Sequence, residues 1–101
     1  MENAAEAATV GVTVLVPGVL RAECGGESVL TLRSAPALGA LLDELASSHP
    51  RLHRRIRDEL QEIRRFVNVY VDGENCRSTG GLDTPLKPGA QVQILPSVAG
   101  G

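Results

Sequence analysis

The chain has 101 residues, of which 43% are hydrophobic, and carries a formal charge of −2 at pH 7. This is enough for one domain with a modest core, too short for two domains and too apolar for a disordered segment. A net charge so close to zero excludes a field that would make nucleic acid or an anionic membrane the main partner.

Met1 to Thr9 is acidic and alanine-rich, and it lacks the positive and apolar regions of a secretory signal. It reads as a disordered tail ahead of a domain spanning residues 10–96. The apolar stretch Val10 to Leu20 is too short to span a bilayer and is broken by Pro17-Gly18, so a soluble, cytoplasmic protein is expected. Val10, Val12, Val14 and Val16 recur at period two and predict a first strand with its valine face inward. Cys24-Gly25-Gly26-Glu27-Ser28 predicts a loop, and Val29 to Arg33 a second strand paired with the first.

Ser34 is the expected N-cap of a helix with Pro36 in its first turn. Leu38, Leu41, Leu42 and Leu45 then form one apolar stripe, and His49-Pro50 ends the helix. A weaker helical pattern through Leu52, Ile56, Leu60 and Ile63 predicts a short or broken second helix. Phe66 to Val71 is the clearest strand, with Val67, Val69 and Val71 inward and Asp72-Gly73 turning the chain after it. Gly80-Gly81 and Lys87-Pro88-Gly89 punctuate a short element containing Leu82 and Leu86. The last strand, Ala90 to Leu95, buries Val92 and Ile94 and is closed by Pro96. The pattern is α+β: a mixed sheet of four to five strands covered by one main helix.

Phe66 and Tyr70 are the only aromatics, so the core is aliphatic. Cys24 and Cys76 lie outside any Cys-x-x-Cys pair, which argues against zinc, and each reads as a small core or loop residue. His49 and His53 stand at i, i+4, a spacing that can hold a metal, but Pro50 interrupts the turn and no third ligand is evident; they read as solvent-facing. The arginines from Arg51 to Arg65 are interleaved with Asp58, Glu59 and Glu62 and read as a solvated mixed-charge face rather than a nucleic-acid surface. Strand alternation pushes Phe66, Tyr70 and Leu95 to the outer sheet face, where an exposed apolar patch would dock a partner.

Beyond Pro96 only Ser97, Val98 and Ala99 precede Gly100-Gly101. An arm of five extended residues reaches roughly 16–18 Å and, ending in glycines, can lie flat in a narrow channel of another protein. Residues 97–101 are therefore expected to form a flexible functional arm.

Arg65-Phe66-Val67-Asn68-Val69-Tyr70-Val71-Asp72, the Gly80-Gly81-Leu82 loop and the ending Ile94-Leu95-Pro96-Ser97-Val98-Ala99-Gly100-Gly101 resemble the ubiquitin-like β-grasp sulfur carriers. The likeness covers Val10 to Gly101 and is nearest to the CysO type of actinobacterial cysteine biosynthesis, with the MoaD and ThiS types more distant. It implies a β-grasp fold and a carrier that is not itself an enzyme. Its Gly101 carboxylate, presented by Gly100, would be adenylated and converted to a thiocarboxylate. It further implies that the carrier binds no cofactor, ATP being used by an activating and sulfurtransferase enzyme of the MoeZ, MoeB or ThiF type. The other implied partners are a sulfur-accepting biosynthetic enzyme and a JAMM-type hydrolase, with Phe66, Tyr70, Leu95, Pro96 and Val98 as the docking residues. A lysine-conjugated modifier and the small subunit of a molybdopterin synthase remain alternatives, as related carriers serve several pathways.

Overall fold

Period-two valines demand a partner on one face only, and the chain supplies it from two directions. In the computed structural model, which describes residues 11–33 and 35–97, β1 (Val12–Leu15) pairs antiparallel with β2 (Val29–Leu32) and parallel with β5 (Gln91–Pro96). β5 pairs antiparallel with β3 (Val67–Val71), which turns into the two-residue β4 (Glu74–Asn75). The sheet order is β2-β1-β5-β3-β4. Val12, Val14, Val16, Val67, Val69, Val71, Val92 and Ile94 are all buried on one face, as the alternation predicts. Val10 and the opening tail lie outside the described residues.

β1 leaves the sheet into a 3-10 segment, Gly18–Cys24, that bridges to β2. Close packing at the start of β1 requires Gly11, since a Cβ there would fall 2.3 Å from the carbonyl oxygen of Leu32. At the other edge Asp72 (φ 49°) and Gly73 (φ 89°) make the two-residue turn that the sequence signals. The segment expected around Leu82 and Leu86 is two short 3-10 turns, Cys76–Ser78 and Gly81–Asp83, joined by a 3.0 Å contact between the Thr79 and Thr84 hydroxyls.

α1 (Leu38–Ser48) buries Leu38, Leu41, Leu42 and Leu45, the predicted stripe, and His49 ends it. Its start corrects the sequence reading: the N-cap is Ala37 with no side-chain cap, so Pro36 precedes the helix rather than opening its first turn. Ser34, the expected cap, lies outside the described residues. The Leu38 N–H instead donates to the Thr84 carbonyl at 2.9 Å, and the Leu86 N–H to that of Pro36 at 3.1 Å. A distant loop thus satisfies the first unpaired N–H of the helix.

α2 (Pro50–Ile56) is short, as expected, and packs on α1 and on Gly18–Cys24. It therefore joins the main helix as a second covering element, contributing Leu52 and Ile56 to the same core as the valines. The helix stops because Arg57 turns extended and Asp58 Oδ1 accepts the N–H groups of Leu60 (2.8 Å) and Glu62 (3.1 Å), leaving Leu60 exposed.

The same break buries two residues that the sequence pattern places in solvent. Arg57 and His53 are both buried; Arg57 Nη2 meets Asp43 Oδ1 of α1 at 2.7 Å, and Arg57 Nε–H donates to His53 Nε2 at 2.8 Å. His53 is an internal acceptor rather than a solvent-facing side chain, and it must be neutral at Nε2 to accept. Among the described residues no group of His, Cys, Asp and Glu is placed to hold a metal. Nor, among the described residues, is any helix long and apolar enough to cross a membrane. Cys24 and Cys76 are buried free thiols, and burial raises the pKa of Cys76.

Burial foremost, then the Arg57 cation, holds the His53 pKa below its ordinary value of 6.5, with Asp43 pulling the other way and Arg54 adding slightly to the depression. A base whose pKa is lowered by folding binds protons more readily in the unfolded chain. Its contribution to stability is complete above pH 6.5 and is lost as the pH falls below it. The denaturation midpoint is expected to drop between about pH 7 and pH 5. His53→Gln keeps an acceptor for Arg57 without a titrating group and should flatten that slope. Equal slopes in the two proteins would assign the acid loss to other groups.

Candidate functional site

β5 occupies the centre of the sheet, so the alternation that buries Val92 and Ile94 sends Leu95 to the face opposite the helices. Leu95 stands opposite Asn68 on β3, with Phe66 and Tyr70 two residues to either side of Asn68. Both rings are thus diagonal neighbours of Leu95, within reach of large side chains at about 7–8 Å between α-carbons. Phe66 is 54% exposed and Leu95 38%, and Tyr70 is half-buried. The predicted patch residues therefore share one outer face. The helical segment from Leu52 onward packs on the other face and does not cover them.

Two members of this face were not singled out in the sequence. Leu15 is half-buried and Val29 is 47% exposed, and they are paired with each other and, through Leu15, with Gln93. The period-two rule that sends Val14 inward also sends Leu15 outward, so the signal was present. With Leu95 and Pro17 they line a groove of about 340 Å³.

Pro96 is the last residue of β5 and pairs with Val67, and the Ser97 N–H donates to the Phe66 carbonyl at 2.6 Å. The ladder thus continues one residue beyond the proline. Arg77, also missed in the sequence, reinforces the same point: its guanidinium donates to Val67 O and Asn68 Oδ1, both at 2.9 Å, and to Arg64 O at 3.1 Å. Val98, Gly100 and Gly101 lie outside the described residues. Ser97, the last described residue, is therefore fixed by two strands and one arginine, at the edge of the apolar face.

Alongside it runs a second groove, of about 660 Å³, floored by Leu20, Val67 and Pro96 and flanked by Arg54, Arg55, Arg64 and Arg65. The Arg65 guanidinium lies 5.7 Å from the Phe66 ring centroid, joining the two surfaces.

The ThiS family profile matches residues 14–101, through the terminal glycine pair. The sulfur carrier protein CysO of Mycobacterium tuberculosis is 39% identical over 92 residues, 89% of this chain and 98% of its own length. Among solved structures, the Amycolatopsis orientalis BexX/CysO complex matches with a TM-score of 0.80 at 38% identity, covering 89% of this chain and 99% of the other. The small archaeal modifier protein 1 of Methanosarcina acetivorans gives 0.77 at 30% identity, with 92% and 98% covered.

Outward placement of Leu95 makes a direct contrast with its neighbour. Leu95→Arg should leave the thermal midpoint nearly unchanged, because the new charge enters solvent. Ile94→Arg forces a charge into the core and should prevent cooperative folding. Circular dichroism melts of the two variants decide between this face assignment and its inverse.

Proposed function

The chain belongs to the ThiS family of sulfur carriers, and from that premise we propose that the α-carboxylate of Gly101 is its working group. A carboxylate is a poor electrophile: an approaching nucleophile meets delocalised negative charge and finds no leaving group. In the proposed sequence a carboxylate oxygen attacks the α-phosphorus of ATP on an activating enzyme of the MoeZ, MoeB or ThiF type and expels pyrophosphate. Hydrosulfide, or its equivalent on the enzyme, then adds to the acyl carbon; AMP departs with the C–O bonding pair and the proton passes to solvent. The product is a thiocarboxylate whose soft sulfur forms a bond to an activated acceptor carbon as the activating group on that carbon departs with its bonding pair. In the cysteine pathway the acceptor is an activated serine, and a JAMM-type hydrolase uses water to cleave the acyl bond to Gly101, releasing the product and restoring the carboxylate.

The carrier contributes position rather than catalytic groups. The observation that carries this reading is the family match running through Gly100-Gly101. It is supported by the anchoring of Ser97 to Phe66, which gives the arm a fixed base. Phe66, Tyr70 and Leu95, with Pro96 and Val98 along the arm, form the docking surface for activating and accepting enzymes in turn. Likeness to an archaeal modifier protein favours a second reading, in which the same carboxylate is joined to lysines of other proteins. Intact mass from the native host separates the two: a free carrier one oxygen-to-sulfur exchange heavier and sensitive to thioacid alkylation supports the first, lysine adducts the second.

Deleting Gly101 should abolish ATP–pyrophosphate exchange with the cognate activating enzyme while leaving the melt unchanged. Undiminished exchange would remove Gly101 from the chemistry. Leu95→Arg, folded, should weaken binding to that enzyme by at least about 2 kcal/mol, nearly thirtyfold, as loss of a buried anchor commonly does. Normal binding would move the docking surface elsewhere on the sheet.

A further inference from the structure

The arginine-flanked groove at the base of the arm is set apart from the rest of a chain whose net charge is −2. In the sequence its arginines alternate with Asp58, Glu59 and Glu62. Because α2 ends at Ile56, however, Glu59 and Glu62 fall in the following loop and do not line the groove. Asp58 does, adding one carboxylate, its Oδ1 bonded to the N–H groups of Leu60 and Glu62, against the four arginines Arg54, Arg55, Arg64 and Arg65. Arg55 shares Glu23 with Arg51 at 3.5 and 3.4 Å. Among the described residues Arg54, Arg64 and Arg65 have no carboxylate within ion-pair distance. Arg64 is held in place by donating from Nε to the Arg54 carbonyl at 2.9 Å, which orients its charge without neutralising it. The rim adds two exposed apolar side chains, Val19 at 67% and Phe66 at 54%.

We propose that this groove docks an acidic segment, bearing an apolar anchor, that flanks the catalytic cleft of the activating enzyme. The inference rests on the carrier reading above. Its chemistry is specific to that enzyme: a negatively charged arm must approach a site already holding polyanionic ATP, and like charges repel. Attraction outside the cleft offsets that repulsion, and a basic groove touching Pro96 and Ser97 lies within the footprint of any protein that takes in the arm. Steering of this kind acts mainly on the rate of encounter and weakens as salt rises.

The test uses the full chain and its activating enzyme in ATP–pyrophosphate exchange and direct binding over a range of salt. The Arg54→Glu/Arg64→Glu double variant should raise the KM for the carrier about tenfold or more at low salt, leave kcat unchanged and flatten the dependence of affinity on salt. Arg54→Lys/Arg64→Lys, which keeps both charges, should retain the salt dependence and lose far less affinity than the charge reversal. Arg33→Glu, an exposed charge change outside the groove, should have little effect. If charge reversal disturbs the melt, Arg54→Gln/Arg64→Gln gives the same readout with a smaller change.

Unaltered KM and salt slope in a folded double variant overturn the proposal, as does an effect no larger than that of Arg33→Glu. Removal of residues 1–9 that tightens binding as much as charge reversal weakens it would assign the groove to the chain's own acidic opening. Exchange with wild type but no groove effect defeats this inference alone. No exchange with wild type defeats the carrier reading and the inference with it.

Discussion

The hydrogen-bond ladders that hold β5 between β1 and β3 govern everything near the arm. A C-terminal strand at a sheet edge would fray, and the point at which the arm leaves would wander with it. Here Val92 and Ile94 are fully buried beneath the helices, and both neighbours supply backbone partners. The Ser97 amide, just past the strand, is still bonded to Phe66. Rigidity up to Ser97 therefore comes from one arrangement, the last strand inserted in the middle of the sheet.

The features legible in the sequence were those written in local period. The valines of β1 and β3, the leucines of α1 and the Asp72-Gly73 turn each specify their own burial, and the outward face of Phe66, Tyr70 and Leu95 follows from the same alternation. What escaped was set by partners far along the chain. The start of α1 depends on the Thr84 carbonyl, which no property of Ser34 or Pro36 reports. Arg57 can be buried because Asp43, fourteen residues away, accepts from its Nη2 while its Nε donates to His53. Leu15 and Val29 obey the same strand rule but lie far in sequence from Phe66, Tyr70 and Leu95 and join them only through the sheet.

Charge interleaving was the least transferable signal. A helix continuing from Leu52 through Ile63 would mix arginines and carboxylates on one solvated face. The break at Arg57 sorts them instead, leaving Arg54 and Arg55 on α2 beside Arg64 and Arg65 across the groove. Even the exposed ion pairs of Glu23 with Arg51 and Arg55, worth little as stability, hold Gly18–Cys24 against α2 and so shape one wall. Two faces of one short helix thus do different work: Leu52, His53 and Ile56 close the core, and Arg54 and Arg55 charge the groove.

Apolar face and basic groove flank the base of the arm, with Phe66 common to both. A partner that grips either surface is committed to the arm's direction, because Pro96 and Ser97 are fixed relative to both. On the carrier reading, activating and accepting enzymes compete for overlapping surface on a small domain, so one must leave before the other binds. Very tight binding by either would stall the hand-over. A modest apolar patch supplemented by salt-sensitive attraction suits such an exchange, since it speeds encounter without a matching gain in residence time.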